Sequence, residues 1–108
     1  MILNTKEDKL LVSNSYLELY ENEFFTVYEE NIEGVPFIHT LIYKFTKDGV
    51  VSWVTLMDDL AQVYKEEGKD MMCTNPYSEN TAVVRVAQRA KFVKVCEDGS
   101  KTLLVRYL

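Results

Sequence analysis

Residues 37–45, Phe-Ile-His-Thr-Leu-Ile-Tyr-Lys-Phe, are apolar on both parities for most of their length. A strand covered on one side alternates apolar with polar residues. A run that is apolar on both sides needs cover on both. This segment therefore reads as a central strand and requires a sheet with material on each face. His39 shares its parity with Phe37 and Leu41, so it reads as a packed, hydrogen-bonded core histidine. As the only histidine, it is also the only side chain that titrates near neutrality without perturbation. A pocket around it would be the one place for acid–base chemistry, and burial without a cavity would remove that reading.

The flanking segments read mostly as strands. Residues 9–20, Lys-Leu-Leu-Val-Ser-Asn-Ser-Tyr-Leu-Glu-Leu-Tyr, alternate towards their end, with Tyr16, Glu18 and Tyr20 on one side and Leu17 and Leu19 on the other. Glu21-Asn22-Glu23 forms a turn, and Phe24 to Glu30 alternate again. Gly34 and Pro36 break the chain. Asp48-Gly49 supplies the positive φ angles of a tight hairpin, which makes residues 50–54 a return strand. Leu56, Leu60, Val63 and Tyr64 then form one apolar stripe, which predicts a helix over about 56–67, with Thr55 and Asp58 in capping positions and Gly68 as its stop. Residues 69–80 read as a loop. A second hairpin, turning at Asp98-Gly99, joins residues 82–95 to residues 101–108.

The expected fold is α+β. It is a mostly antiparallel, curled sheet or small partly open β-barrel of about six strands. One helix lies between strands four and five. The 108 residues suit one globular domain, 1–108. No apolar run is long enough for a signal peptide or a membrane span, which predicts a cytoplasmic protein. Cys73 and Cys96 lie far apart, form no CxxC pair and predict reduced thiols. A composition rich in Lys, Glu, Asn and Tyr and poor in Arg and Pro suits a bacterial or mobile-element source.

Catalytic motifs are absent. Each glycine has a turn or a segment end to serve, so none remains for a phosphate-cradling loop. No GxSxG, HExxH or EF-hand spacing occurs. Adjacent acids, such as Asp58-Asp59, diverge on either a strand or a helix and cannot pair. The sequence thus predicts a non-enzyme with no cofactor and no metal.

Charge offers the functional clue. Residues 1–80 hold six lysines against fifteen acids, a balance of −9. Residues 81–108 hold six basic residues against two acids, a balance of +4. As a regular hairpin, the last segment would put Arg85, Arg89, Lys91 and Arg106 on one face, with Lys94 and Lys101 peripheral. Val93, Val95 and Leu104 fall on the same parity, which would need a half-covered face or a bulge near Phe92-Val93. The basic face could be neutralised internally, by RNA or another polyanion, or by an acidic protein partner. The expected function is a small regulatory protein that binds RNA or another polyanion there. The alternative is an acidic inhibitor or immunity-type protein that binds a basic partner through Tyr16, Glu18, Tyr20, Tyr28 and Glu29.

Overall fold

A computed structural model of the chain describes residues 2–3, as backbone, and 16–108. The elements in chain order are β1 Ile2–Leu3, β2 Tyr16–Glu21, β3 Phe25–Ile32, β4 Val35–Ile42, α1 Lys47–Glu66, β5 Met71–Thr74, α2 Thr81–Arg89, β6 Val93–Asp98 and β7 Lys101–Tyr107. Six strands form an open sheet in the order β2-β3-β4-β5-β7-β6, and β1 pairs with β4 off that path. The sheet is mixed, because β1 and β5 both run parallel to β4 while every other pairing is antiparallel. The α+β class holds. The barrel does not, since β2 and β6 end the order at opposite edges. The expected strand segment at 9–15 lies outside the described residues.

The run at 37–45 supplies the central strand as far as Ile42, and residues 43–45 lie beyond it. β4 pairs with β3 along its full length, from Ile32↔Val35 to Phe25↔Ile42. The two-residue turn between them uses Glu33 at φ 52° and Gly34 at φ 85°. Asn31 Oδ1 accepts from the Gly34 amide at 2.9 Å and locks it.

The helices are where the sequence reading fails. Asp48-Gly49 is not a hairpin turn but the first turn of α1, and residues 50–54 are helical. Thr46 is the N-cap, and its side chain accepts from the Gly49 amide at 3.1 Å. Thr55 and Asp58 therefore lie inside the helix. The buried stripe is Gly49, Trp53, Met57, Ala61 and Tyr64, rather than one centred on Leu56, Leu60 and Val63. Met57 is fully enclosed, which contributes about 1.5–3 kcal/mol relative to exposure. The expected strand over 82–90 is α2, and the expected loop at 69–80 contains β5. Both helices cover the sheet face that carries Phe25, Val27, Ile38, Met72 and Leu104.

The β6–β7 hairpin forms, but with Gly99-Ser100 as its loop. Asp98 pairs with Lys101, and a bulge at Val95 shifts the register. Arg106 pairs with Met72 of β5, not with Lys91.

Candidate functional site

β4 and β5 share one ladder pair, Phe37↔Cys73. The Thr74 hydroxyl adds a buried bond of 3.0 Å to the Ile38 carbonyl. Past that point β4's edge pairs instead with β1, at Thr40 and Leu41. An apolar cleft lies on the helix side, at the end of β4 and between α1 and α2. Phe25, Thr40 and Ile42 form its floor, Trp53 of α1 one wall, and Val83 and Val86 of α2 the other. The inner cavity is small, ≈ 40 Å³. It opens along Ile42, Phe45 and Val83 into an outer groove of ≈ 380 Å³ that reaches Asn80 and Ala82. The Trp53 indole N–H donates to the buried Thr40 hydroxyl at 3.0 Å and fixes the inner wall.

The groove mouth lies beside the start of α1. The first turn of a helix presents unpaired amides and the positive end of its dipole. Thr46 takes the Gly49 amide, and the amides of Tyr43 and Lys44 bond the Phe24 carbonyl at 2.8 and 3.1 Å. Lys44 and Lys47 flank the turn, and Asp48 stands within it. Gly49 is not part of a ligand cradle. A Cβ there would meet Phe24 Cβ and Cγ at 3.2 Å, so its smallness serves the contact between α1 and the turn before β3.

The opposite sheet face carries a second cluster. His39 Nε2 lies 2.8 Å from Glu30 Oε1, and the imidazole stacks on the Tyr16 ring at 4.7 Å and 7°. His39 is 3% exposed and does not line the cleft, so it is a packed histidine rather than the centre of a pocket. Glu30 is the reachable member, with 29% of its side chain exposed. Burial, then the Glu30 charge, then a hydrogen bond to Glu30 hold the Tyr16 phenol above its ordinary pKa.

The predicted basic face does not exist. Arg85 and Arg89 lie on the exposed side of α2, and Lys91, at φ 70°, is in the turn that follows. Arg106 is 9% exposed on the helix-covered face of β7, where Nη1 donates to Asp58 Oδ1 at 2.8 Å and to the Ala90 carbonyl at 3.1 Å. A strand reading of α2 had joined residues that a helix and a buried strand keep apart.

The acidic-aromatic set is divided too. Glu18 pairs with Tyr28, and Tyr28 with His39, so these share the Tyr16 side of the sheet. A register shift between Glu18 and Tyr20 carries Tyr20 to the helix side, where it meets the Phe25 ring at 6.1 Å. Glu29 also faces the helices and accepts from the Tyr64 hydroxyl at 2.5 Å.

Among the described residues no group of three or more His, Cys, Asp or Glu is placed to hold a metal ion. No described helix is long and apolar enough to cross a membrane.

The sequence matches no protein-family model and no curated protein. The fold does have solved counterparts. The N-acetyltransferase PseH of Campylobacter jejuni superposes with a TM-score of 0.64 over 93% of this chain and 73% of its own, at 14% identity. Its complex with acetyl coenzyme A gives 0.61 over the same shares. The ribosomal-protein-S18-alanine N-acetyltransferase of Escherichia coli gives 0.55 over 95% of this chain and 74% of its own, also at 14% identity. The expectation of a non-enzymatic regulatory module, for RNA or for a basic protein, is thereby overturned, because the chain is similar in fold to enzymes that transfer acetyl groups to nitrogen.

Proposed function

We propose that this protein is an N-acyltransferase that moves an acyl group from a coenzyme A thioester to an amine. The observation that carries the reading is the apolar groove at the end of β4, between α2 and the start of α1, in a chain whose solved counterparts include an acetyl-coenzyme A complex.

The residues suit such a donor. Ile42, Phe45, Asn80 and Val83 would hold the donor's thin arm in the outer groove, and the inner cavity between Trp53 and Val86 would take only its acyl end. The arm would not run along the stretch of β4's edge at Thr40 and Leu41, which pairs with β1. The diphosphate would meet Lys44, Lys47 and the amides of Lys47 and Asp48 at the positive end of α1. This is a helix terminus with two lysines rather than a glycine-lined cradle, and Asp48 weakens it. Bound there, the donor supplies an activated acyl carbonyl.

The acceptor amine must lose a proton before it can attack. Neither the cleft nor the groove is lined by a carboxylate or an imidazole, and Glu30 and His39 lie on the opposite sheet face, so the proton would leave to solvent at the groove mouth.

The test has two stages. Trp53, the only tryptophan, lines the groove, so its fluorescence should change on titration with acetyl coenzyme A. Thiol release should then appear with one member of a panel of primary amines. Trp53→Ala should weaken donor binding, while Glu30→Gln, on the other sheet face, should leave donor affinity and kcat unchanged. Silent Trp53 fluorescence together with no heat of binding at millimolar donor would sink the proposal.

A further inference from the structure

Independently of that activity, we propose that β6 pairs with β6 of a second copy, so that two sheets join edge to edge across a two-fold axis. The first observation is exposure. All six residues of β6 are exposed, although β7 beside it is mostly buried. Val93 and Val95 are 55% and 50% exposed. β6 ends the sheet order and has no partner on its outer side among the described residues, so its outward amides and carbonyls can accept another strand. Charged residues and a bulge are common edge protection, but the exposed Val93 and Val95 are not and leave apolar surface along the edge.

The second observation is self-complementarity. Lys94 and Glu97 are three apart and would face opposite ways in a regular strand. The bulge at Val95 brings them to one side, as their 2.7 Å ion pair records. An antiparallel copy centred between Val95 and Cys96 sets Lys94 against the partner's Glu97, and Glu97 against the partner's Lys94. The four charges then alternate in sign on one face, and Val95 packs on the partner's Cys96. The other sheet edge lacks this property. β2 carries only Glu18 and Glu21, so a second copy there would meet its own charge. A two-fold edge contact of this kind closes on itself and does not propagate into a fibre.

Sedimentation velocity of the full chain, across concentrations up to about ten times the dimer dissociation constant, tests the pairing. Lys94→Glu alone and Glu97→Lys alone each place like charges opposite one another and should weaken the dimer about tenfold or more. An equimolar mixture of the two variants restores both cross-strand pairs and should form a heterodimer within about threefold of wild type. Each variant still lacks the internal Lys94–Glu97 bridge, so the rescue reports the contact between copies. A short bis-maleimide should join two copies through Cys96 in wild type but not in Cys96→Ser. A wild-type chain that stays monomeric at millimolar concentration would overturn the proposal, as would a dimer indifferent to either reversal or a mixture without rescue.

Discussion

Arg106 and Asp58 tie the sheet to α1. The Arg106 guanidinium, 9% exposed, donates to Asp58 Oδ1 at 2.8 Å, while Asp58 remains about half open to water. A second bond to the Ala90 carbonyl adds the turn after α2, so one side chain joins β7 and both helices. Cutting Asp58 leaves a buried cation with one neutral acceptor and Lys91 4.0 Å from the vacated oxygen position. Asp58→Ala should therefore cost about 2–3 kcal/mol. Arg106→Ala should cost a similar amount by stranding the Ala90 carbonyl. Arg85→Ala and Arg89→Ala, on the exposed side of α2, should each stay within about 0.5 kcal/mol. Urea unfolding of the four variants separates the buried arginine from the solvated pair. Equal losses at all four would contradict the placement.

Gly49 inverts an ordinary rule. Alanine at a helical glycine usually stabilises by about 1 kcal/mol. Here the added Cβ would lie 3.2 Å from Phe24 Cβ and Cγ and 3.3 Å from the Lys44 carbonyl oxygen. Gly49→Ala should therefore destabilise the fold by about 1–2 kcal/mol. Thr46→Ala, which frees the Gly49 amide, should cost about 1 kcal/mol. Thermal melts of both variants decide this, and a gain in Tm for Gly49→Ala would show that Phe24 can yield.

These positions also explain what could be read from the sequence. The central strand was legible because an apolar run needs cover on both sides, and the last hairpin only in part, since its loop is Gly99-Ser100 rather than Asp98-Gly99 and its first strand begins at Val93. α2 was not. Its Val83, Val84 and Val86 favour strands, and their spacing was read with period two. The helical signal was present in Val83, Ala87 and Ala90, which are buried at spacings of four and three with Arg85, Gln88 and Arg89 outside. The start of α1 was lost because Asp-Gly serves a hairpin and a helix N-terminus equally well. Thr46, three residues before Gly49, was the cap that would have settled it. The groove followed α2 into obscurity, because Val83 and Val86 line it only once they are helical. The Glu30–His39 contact spans two strands, and spacing in one chain segment cannot reveal it.

Tyr64 and Glu29 give a pH dependence. The Tyr64 phenol donates to Glu29 at 2.5 Å from a buried position. Burial, then the bond to Glu29, then the charges of Glu29 and Glu67 push its pKa far above the ordinary tyrosine value. The folded state thus holds this proton more tightly than the unfolded chain. The associated stability is fully present below the unfolded value of about 10 and is lost as pH rises above it. Tyr64→Phe should cost about 1–2 kcal/mol at neutral pH and flatten part of the alkaline loss. Urea midpoints from pH 8 to 11 for both proteins check this. Parallel curves would detach the effect from Tyr64.

The two cysteines should differ sharply in reactivity. Cys73 is buried on β5, and that burial pushes its thiol pKa up. Because the thiolate is the nucleophile, both access and ionisation oppose its reaction. Cys96 is exposed on the edge strand β6. A thiol-reactive disulfide reagent should therefore release one equivalent quickly from the native protein. The second equivalent should appear only at the rate of unfolding, or at once in denaturant. Cys96→Ser should remove the fast phase, and Cys73→Ser the slow one. Should β6 pair with a second copy, raising protein concentration should slow the fast phase, since Cys96 would lie next to the two-fold axis. A Cys73 that reacts as fast as Cys96 in the native chain would mean that β5 opens readily. That outcome would conflict with its Met71–Thr74 ladder to β7.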